Sequence, residues 1–311
     1  MDLGSWEDFE LISYPPSIDS LGYIGVYPTS RHFDEIGIRH GIAAGMNTDG
    51  LSCDMQTLLK TSYPPKPDGE EDNREPVMVG FFCDWALKSF STVDETAAAL
   101  EVGGTHSVYG PDGFAQHFSL RDASGSSIVV EFIGESTQIY ADKNDGKPGH
   151  PGIMTNEPAY DWHVENIRHY EWKKNLALPS IPTPGSFYPE ERFLRLHALK
   201  AGLEAPYSHR DLITKAAALL NAVTIPIGNQ YGTDSGEGEG NGDHTVWGMV
   251  YDHTNLAVYF RSYKNLSLQR VRLREDLSLD DVDKAEKRYL NVAEEEVDWF
   301  VDVSKNFKRH P

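Results

Sequence analysis

The sequence predicts an α+β protein built on a largely antiparallel sheet. Three observations point there. The elements run as strands, then helices, then strands. Two segments read as tight hairpins, one at 114–133 and one at 245–262. No linker is long enough, and no repeat regular enough, to split the 311 residues into separate alternating units.

The elements follow in order. Residues 9–14 and 22–27 favour β-branched and aromatic types and are separated by Pro15 and Pro16, so they read as two strands. Residues 38–45 form a third. Asn47 and Asp49-Gly50 supply residues that tolerate a positive φ, which marks a turn. A strand or short helix spans 51–59. Residues 64–76, polar and proline-rich, read as a loop. Phe82, Trp85, Ala86 and Phe90 recur at helical spacing. Thr92 followed by Glu95 is a capping box that opens a second helix, and Ala97–Ala99 suits its body. The clearest hairpin pairs 114–120 with 127–133 around Asp122-Ala123-Ser124-Gly125. A strand at 137–140 follows.

Gly152-Ile153-Met154 reads as strand-like. Thr155-Asn156-Glu157-Pro158 then turns, because Pro158 keeps its predecessor out of helical geometry. Asp161 is a candidate cap for the next helix. Helices are expected at 162–173, 188–203 and 208–222, the last with Leu212, Ile213, Ala216, Leu219 and Leu220 on one face. Residues 232–242 are a glycine-rich acidic loop. They are no phosphate loop, since they lack the GxxxxGK spacing and carry the wrong charge. The strands at 245–251, 256–262 and 267–272 close the sheet. The segment from 277 onward reads as one or two charged helices.

Composition narrows the function. Apolar residues make up 39% and charged residues 24%, enough for a real core. The net charge of −20, from 48 acids against 28 bases, opposes binding to nucleic acid phosphates and to anionic membranes. No apolar run approaches the roughly 20 residues of a membrane span. No secretory signal pattern opens the chain. Cys53 and Cys83 are the two cysteines and read as buried free thiols rather than nucleophiles. The twelve histidines show no HExxH spacing, so no metal or other cofactor is expected. GxSxG and GxGxxG are also absent. On local chemistry alone, Asn156 reads as a cap at a strand-turn-helix corner, and a ligand-facing amide is the alternative.

The ordered set of distinctive pieces carries more than any one of them. Met1-Asp2 precedes a strand ending Tyr14-Pro15-Pro16. Gly45-Met46-Asn47-Thr48-Asp49-Gly50-Leu51 follows, then Ser91–Glu95, then Asp122–Phe132. Thr155-Asn156-Glu157-Pro158 comes with Asp161-Trp162-His163 and Asn166. Glu191-Arg192-Phe193-Leu194-Arg195 and the stretch from Thr245 to Tyr263 complete it. In this order the chain resembles the choloylglycine hydrolase family, with its bile salt hydrolases and penicillin V acylases. The resemblance runs from residue 1 to 275 and leaves 276–311 as a charged helical tail outside it.

That resemblance implies an N-terminal nucleophile hydrolase: a four-layer αββα sandwich of two mostly antiparallel sheets, here lacking the first strand segment. It implies amide hydrolysis through an N-terminal Cys whose own α-amine is the base, with a small-molecule acyl amide as substrate. Asp2 matches the family aspartate that contacts the nucleophile's amine and sulfur. Asn156 matches the asparagine of the oxyanion side, and Arg192 the arginine beside the nucleophile. A second oxyanion asparagine would fall near Met55–Thr57, where this chain has none. The nucleophilic Cys is absent, since Met1 stands one residue before Asp2. The expectation is a start upstream that supplies it, set against a non-catalytic relative or a fragment of a longer precursor. A binding homologue without the chemistry and an acidic interaction protein are the alternative functions. Homo-oligomerisation is left open.

Overall fold

The computed structural model describes residues 9–29, 40–142, 152–175, 184–228 and 244–291. Asp2, the loop at 232–242 and the tail beyond 291 lie outside them.

Eight strands form one antiparallel sheet. In chain order its members are β1 (Phe9–Tyr14), β2 (Tyr23–Pro28), β3 (Ala44–Asn47), β4 (Ser52–Thr57), β7 (Gln116–Arg121), β8 (Ser127–Ile133), β9 (Ser136–Ala141) and β13 (Arg288–Asn291). Their spatial order is β13-β1-β2-β3-β4-β7-β8-β9. A second antiparallel sheet holds β10 (Trp247–Asp252), β11 (Ala257–Ser262) and β12 (Gln269–Arg272). A small parallel pair, β5 (Glu75–Met78) and β6 (His106–Tyr109), stands apart. The helices are α1 (Phe82–Ser89), α2 (Val93–Leu100), α3 (Tyr160–Asn175), α4 (Pro189–Ala201) and α5 (His209–Ala222).

The period of two along each strand separates the faces of the large sheet. Cys53, Met55, Phe118, Ile128, Val130 and Phe132 pack with Phe82 and Leu87 of α1 in the main core. Val129, one residue out of phase, belongs to a second cluster with Ile153, Tyr160 and Phe193. The second sheet meets the large one through Tyr251, whose hydroxyl donates to Asp54 Oδ1 at 3.0 Å, and through Phe9 and Trp247, whose rings lie 5.1 Å apart. Helix α5 covers the far side of β10 so closely that a Cβ at Gly248 would meet Leu220 Cδ2 at 2.6 Å. The layers therefore stack α, β, β, α. The Thr92 capping box forms as expected, with Glu95 N donating to Thr92 Oγ1 at 3.2 Å.

Four expectations change. The strand expected at 38–45 starts only at Ala44 and runs to Asn47, so it reaches into the residues read as a turn. The tail is not helical where it is described: residues 277–287 turn, and Arg288–Asn291 add a strand to β1. The open edge of β1 supplies the reason. It offers ladder bonds, and Ser13 Oγ accepts from Arg288 N at 3.0 Å, which local helix propensity cannot match. Residues 152–154 are irregular rather than a strand, with Gly152 at φ 63°. The proline-rich stretch at 64–76 ends inside β5, where Val77 is buried.

Candidate active site

The site forms where three elements converge: the end of β4, the turn before α3, and the first turns of α4. Asn156 sits in the turn, and the Glu157–Pro158 bond that follows is cis. Two hydrogen bonds tie this turn to the end of β4. Asn156 Nδ2 donates to Thr57 O at 3.1 Å, and Leu59 N donates to Glu157 Oε1 at 3.0 Å. From α4, Arg192 Nη2 donates to Asn156 Oδ1 at 2.8 Å. Arg192 is buried. Its guanidinium therefore meets the amide within the protein rather than at the surface.

Thr155 and His163 support the turn from behind. Thr155 Oγ1 donates to Pro189 O, the first residue of α4, at 3.1 Å. His163 Nε2 lies 3.2 Å from the Asn156 carbonyl oxygen. Its ring stacks on Phe193 with centroids 4.3 Å apart. Burial pushes the His163 imidazole down to about 4, and Arg192 and His117 push the same way. The ring is thus neutral near pH 7, and Nε2 carries the hydrogen that the Asn156 carbonyl accepts.

Below the turn lies a carboxylate that the sequence pattern did not single out. Glu131, on β8, is completely buried. Both of its oxygens accept the Tyr160 N–H, at 3.1 and 3.0 Å, so a strand carboxylate caps α3 from beneath. A negative group is favoured there by the helix dipole and the orphan N–H. Asp161, the expected cap, instead accepts from Trp162 N at 2.8 Å within the first turn. His117 Nδ1 lies 3.0 Å from Glu131 Oε1. Gln56 stands directly opposite His117 in the register, and Glu131 opposite Gln138. A polar row thus crosses β4, β7, β8 and β9 on the face towards α3.

Of the residues expected in the site, the structure brings Asn156 and Arg192 together, and Asp2 lies outside the described residues. Thr57 contributes a backbone acceptor within the Met55–Thr57 stretch where a second amide was sought. Cys53 and Cys83 are fully buried against each other, with sulfurs 2.6 Å apart. Burial raises both thiols above their ordinary range. His117 was missed, and Glu131 and His163 stood inside the quoted motifs with no role expected of them. An acid at an alternating position inside the apolar run Ile128–Phe132 was the available signal. Among the described residues no helix is long and apolar enough to cross a membrane.

This arrangement sits in a fold with known counterparts. The structure of penicillin V acylase from Agrobacterium tumefaciens superimposes with a TM-score of 0.71 at 20% identity, covering 94% of this chain and 86% of that one. A variant of conjugated bile acid hydrolase from Clostridium perfringens gives 0.70 at 22% identity, covering 94% and 91%. The fold is that of the N-terminal nucleophile hydrolases. Sequence comparison narrows this. The model of the linear amide C–N hydrolases, choloylglycine hydrolase family, matches residues 36–286. The bile salt hydrolase/transferase of Clostridium perfringens is 30% identical over 256 residues, 75% of this chain and 73% of that protein. The penicillin V acylase of Pectobacterium atrosepticum is 26% identical over 293 residues, 84% and 72% of the two chains. The chain belongs to the choloylglycine hydrolase family, whose enzymes hydrolyse non-peptide C–N bonds in linear amides.

Proposed function

We propose that Asn156 and Arg192 form the oxyanion side of a cysteine amidase site that acts on a small acyl amide, such as an acyl-amino acid, penicillin V or a conjugated bile acid. The bond between these two residues carries the reading. Arg192 holds the amide oxygen and Thr57 O takes one amide hydrogen, so the second Nδ2 hydrogen remains for an oxygen that gains charge during acyl transfer. A fixed donor of this kind stabilises a developing oxyanion far better than a mobile one. A neighbouring guanidinium also favours a thiolate over a thiol.

The nucleophile in this reading is an N-terminal cysteine. Its α-amine, with an ordinary pKa of about 8, takes the thiol proton. The sulfur attacks the carbonyl carbon, the amine leaves with that proton, and water then cleaves the thioester. Asp2 is assigned to hold the nucleophile's amine. Buried Cys53 and Cys83 are unsuited to the part, so the reading needs a different cysteine, at a mature N-terminus.

The test compares two purified proteins on a chromogenic acyl amide: the chain as it stands, and the chain extended by the in-frame coding sequence upstream of Met1. The expected result is turnover by the extended protein alone. Turnover by the chain as it stands would overturn the assignment of the nucleophile. An extended protein that contains the cysteine, folds, and still turns nothing over would favour a binding homologue.

A further inference from the structure

A cavity of about 300 Å³ opens between the start of β10, the end of β11 and the residues that follow α5. Ile225, Ile227, Trp247, Tyr263 and Leu266 give it apolar and aromatic walls, and Arg261 is its cationic member. Volume and lining fall in the range of small-molecule sites, which combine an apolar body with a few fixed polar groups. Neither Asn156, Arg192 nor His163 lines it.

Arg261 is the informative residue. It is half-buried on β11. Among the described residues its guanidinium donates one side-chain hydrogen bond, from Nη2 to Thr224 Oγ1 at 2.7 Å. Thr224 is held in turn by its bond to Leu220 O at 2.9 Å. Among the described residues Arg261 makes no ion pair. That is unexpected in a chain with 48 acids and 28 bases. Arg272, on the neighbouring strand, is met by Glu275 and Asp276. A charge drawn out of water without a counter-charge costs stability, and burial lowers the Arg261 pKa accordingly. A fork with unused donors against an apolar wall matches an anion with an apolar body.

We propose that this cavity is a binding site for a small organic carboxylate, with the carboxylate on Arg261 and an aryl or short alkyl body against Trp247, Ile225 and Leu266. A guanidinium recognises a carboxylate through two parallel N–H bonds, which a hydroxyl cannot reproduce. The apolar walls disfavour inorganic phosphate, which would lose hydration there with nothing to replace it. The site stands independently of the amidase reading.

Isothermal titration of the full chain with phenylacetate tests it, with 2-phenylethanol, acetate and inorganic phosphate as comparison ligands. Phenylacetate should bind. The alcohol, which keeps the body, and acetate, which keeps the charge, should each bind about tenfold more weakly or worse. Arg261→Gln should weaken phenylacetate by about tenfold or more, and Leu266→Trp, which fills the cavity from an exposed position, should also weaken it. Asn156→Ala should leave it unchanged. The proposal is overturned if no phenylacetate binding is seen, if the alcohol or phosphate binds as well, or if Asn156→Ala removes binding while Arg261→Gln does not. Thermal melts of each variant confirm that it is folded before titration.

Discussion

Arg192 Nη2 donates to Asn156 Oδ1 at 2.8 Å, and this bond settles which way the amide faces. A guanidinium has no acceptor, so the atom it meets must be the oxygen. The other amide atom lies 3.1 Å from a backbone carbonyl, Thr57 O, which can only accept. Both ends agree. A side chain that could flip is held in one orientation by partners on two different elements, α4 and β4.

Removing the amide should therefore separate stability from chemistry. On the amidase reading, in an extended protein that turns over the chromogenic acyl amide, Asn156→Ala should lower kcat roughly 100- to 1,000-fold, the usual loss when one oxyanion donor is removed. It should also cost about 1–2 kcal/mol of stability, because the buried Arg192 loses an acceptor. Asn156→Asp keeps the size and the Arg192 contact but sets an acceptor against Thr57 O. Its kcat should fall as far as that of Asn156→Ala. Steady-state kinetics and urea midpoints check both, and an Asp variant with near-native kcat would remove the donor role.

Glu131 answers to a different measurement. It caps α3 through Tyr160 N and meets His117 at 3.0 Å, all within the protein. Glu131→Ala strips partners from both groups and should cost about 3 kcal/mol or more. Leu11, Val26 and similar core positions are far from it, so the large sheet should persist. Urea unfolding gives the number. Amide hydrogen exchange should show the loss of protection concentrated at the start of α3 and in the turn that carries Asn156. Uniform loss of protection across the chain would contradict the capping role.

These two sites differ in how visible they were beforehand. The antiparallel frame, the Thr92–Glu95 box and the Asp122–Gly125 hairpin depend on neighbours a few residues apart, so local patterns reveal them. Asn156 and Arg192 stood out through their place in an ordered set of motifs. Glu131 lies inside one of those motifs, Asp122–Phe132, yet its role was hidden, because that role depends on two separate alignments: the cross-strand register with His117, and the arrival of α3 above β8. The strand at Arg288–Asn291 was hidden for a similar reason. Its partner, β1, lies some 275 positions away, and a charged tail has no local feature that announces an open sheet edge.

His163 should give the protein a measurable acid sensitivity. Its folded pKa is pushed down to about 4, below the ordinary histidine value of 6.5. The unfolded chain takes up a proton as pH falls through 6.5, while the native ring stays neutral until about 4. Stability therefore falls as pH drops across that window, by about 3 kcal/mol in full, and is unaffected above it. His163→Gln keeps a side-chain donor and does not titrate. Its stability relative to the parent should rise steadily as pH is lowered through the window. Parallel pH profiles for the two proteins would argue against the neutral buried ring.

Asp54 acts in the opposite direction over an overlapping range. Burial between the sheets raises its carboxyl from 3.8 to about 6, against the lowering effect of the Tyr251 hydroxyl. The folded protein keeps this proton up to about pH 6, whereas the unfolded chain gives it up near 3.8. Stability from this group is thus full below pH 3.8 and is lost as pH rises towards 6. Between about pH 4 and 6 it runs counter to His163, so the parent profile should be flatter there than either group alone dictates. Asn at position 54 can still accept from Tyr251 and never ionises. Asp54→Asn should therefore match the parent near pH 4 and exceed it in melting temperature near pH 7, with the gap opening across the window. In the double variant with His163→Gln, both slopes should vanish. A gap between Asp54→Asn and the parent that stays constant from about pH 4 to about pH 8 would show that Asp54 holds no extra proton in the folded state.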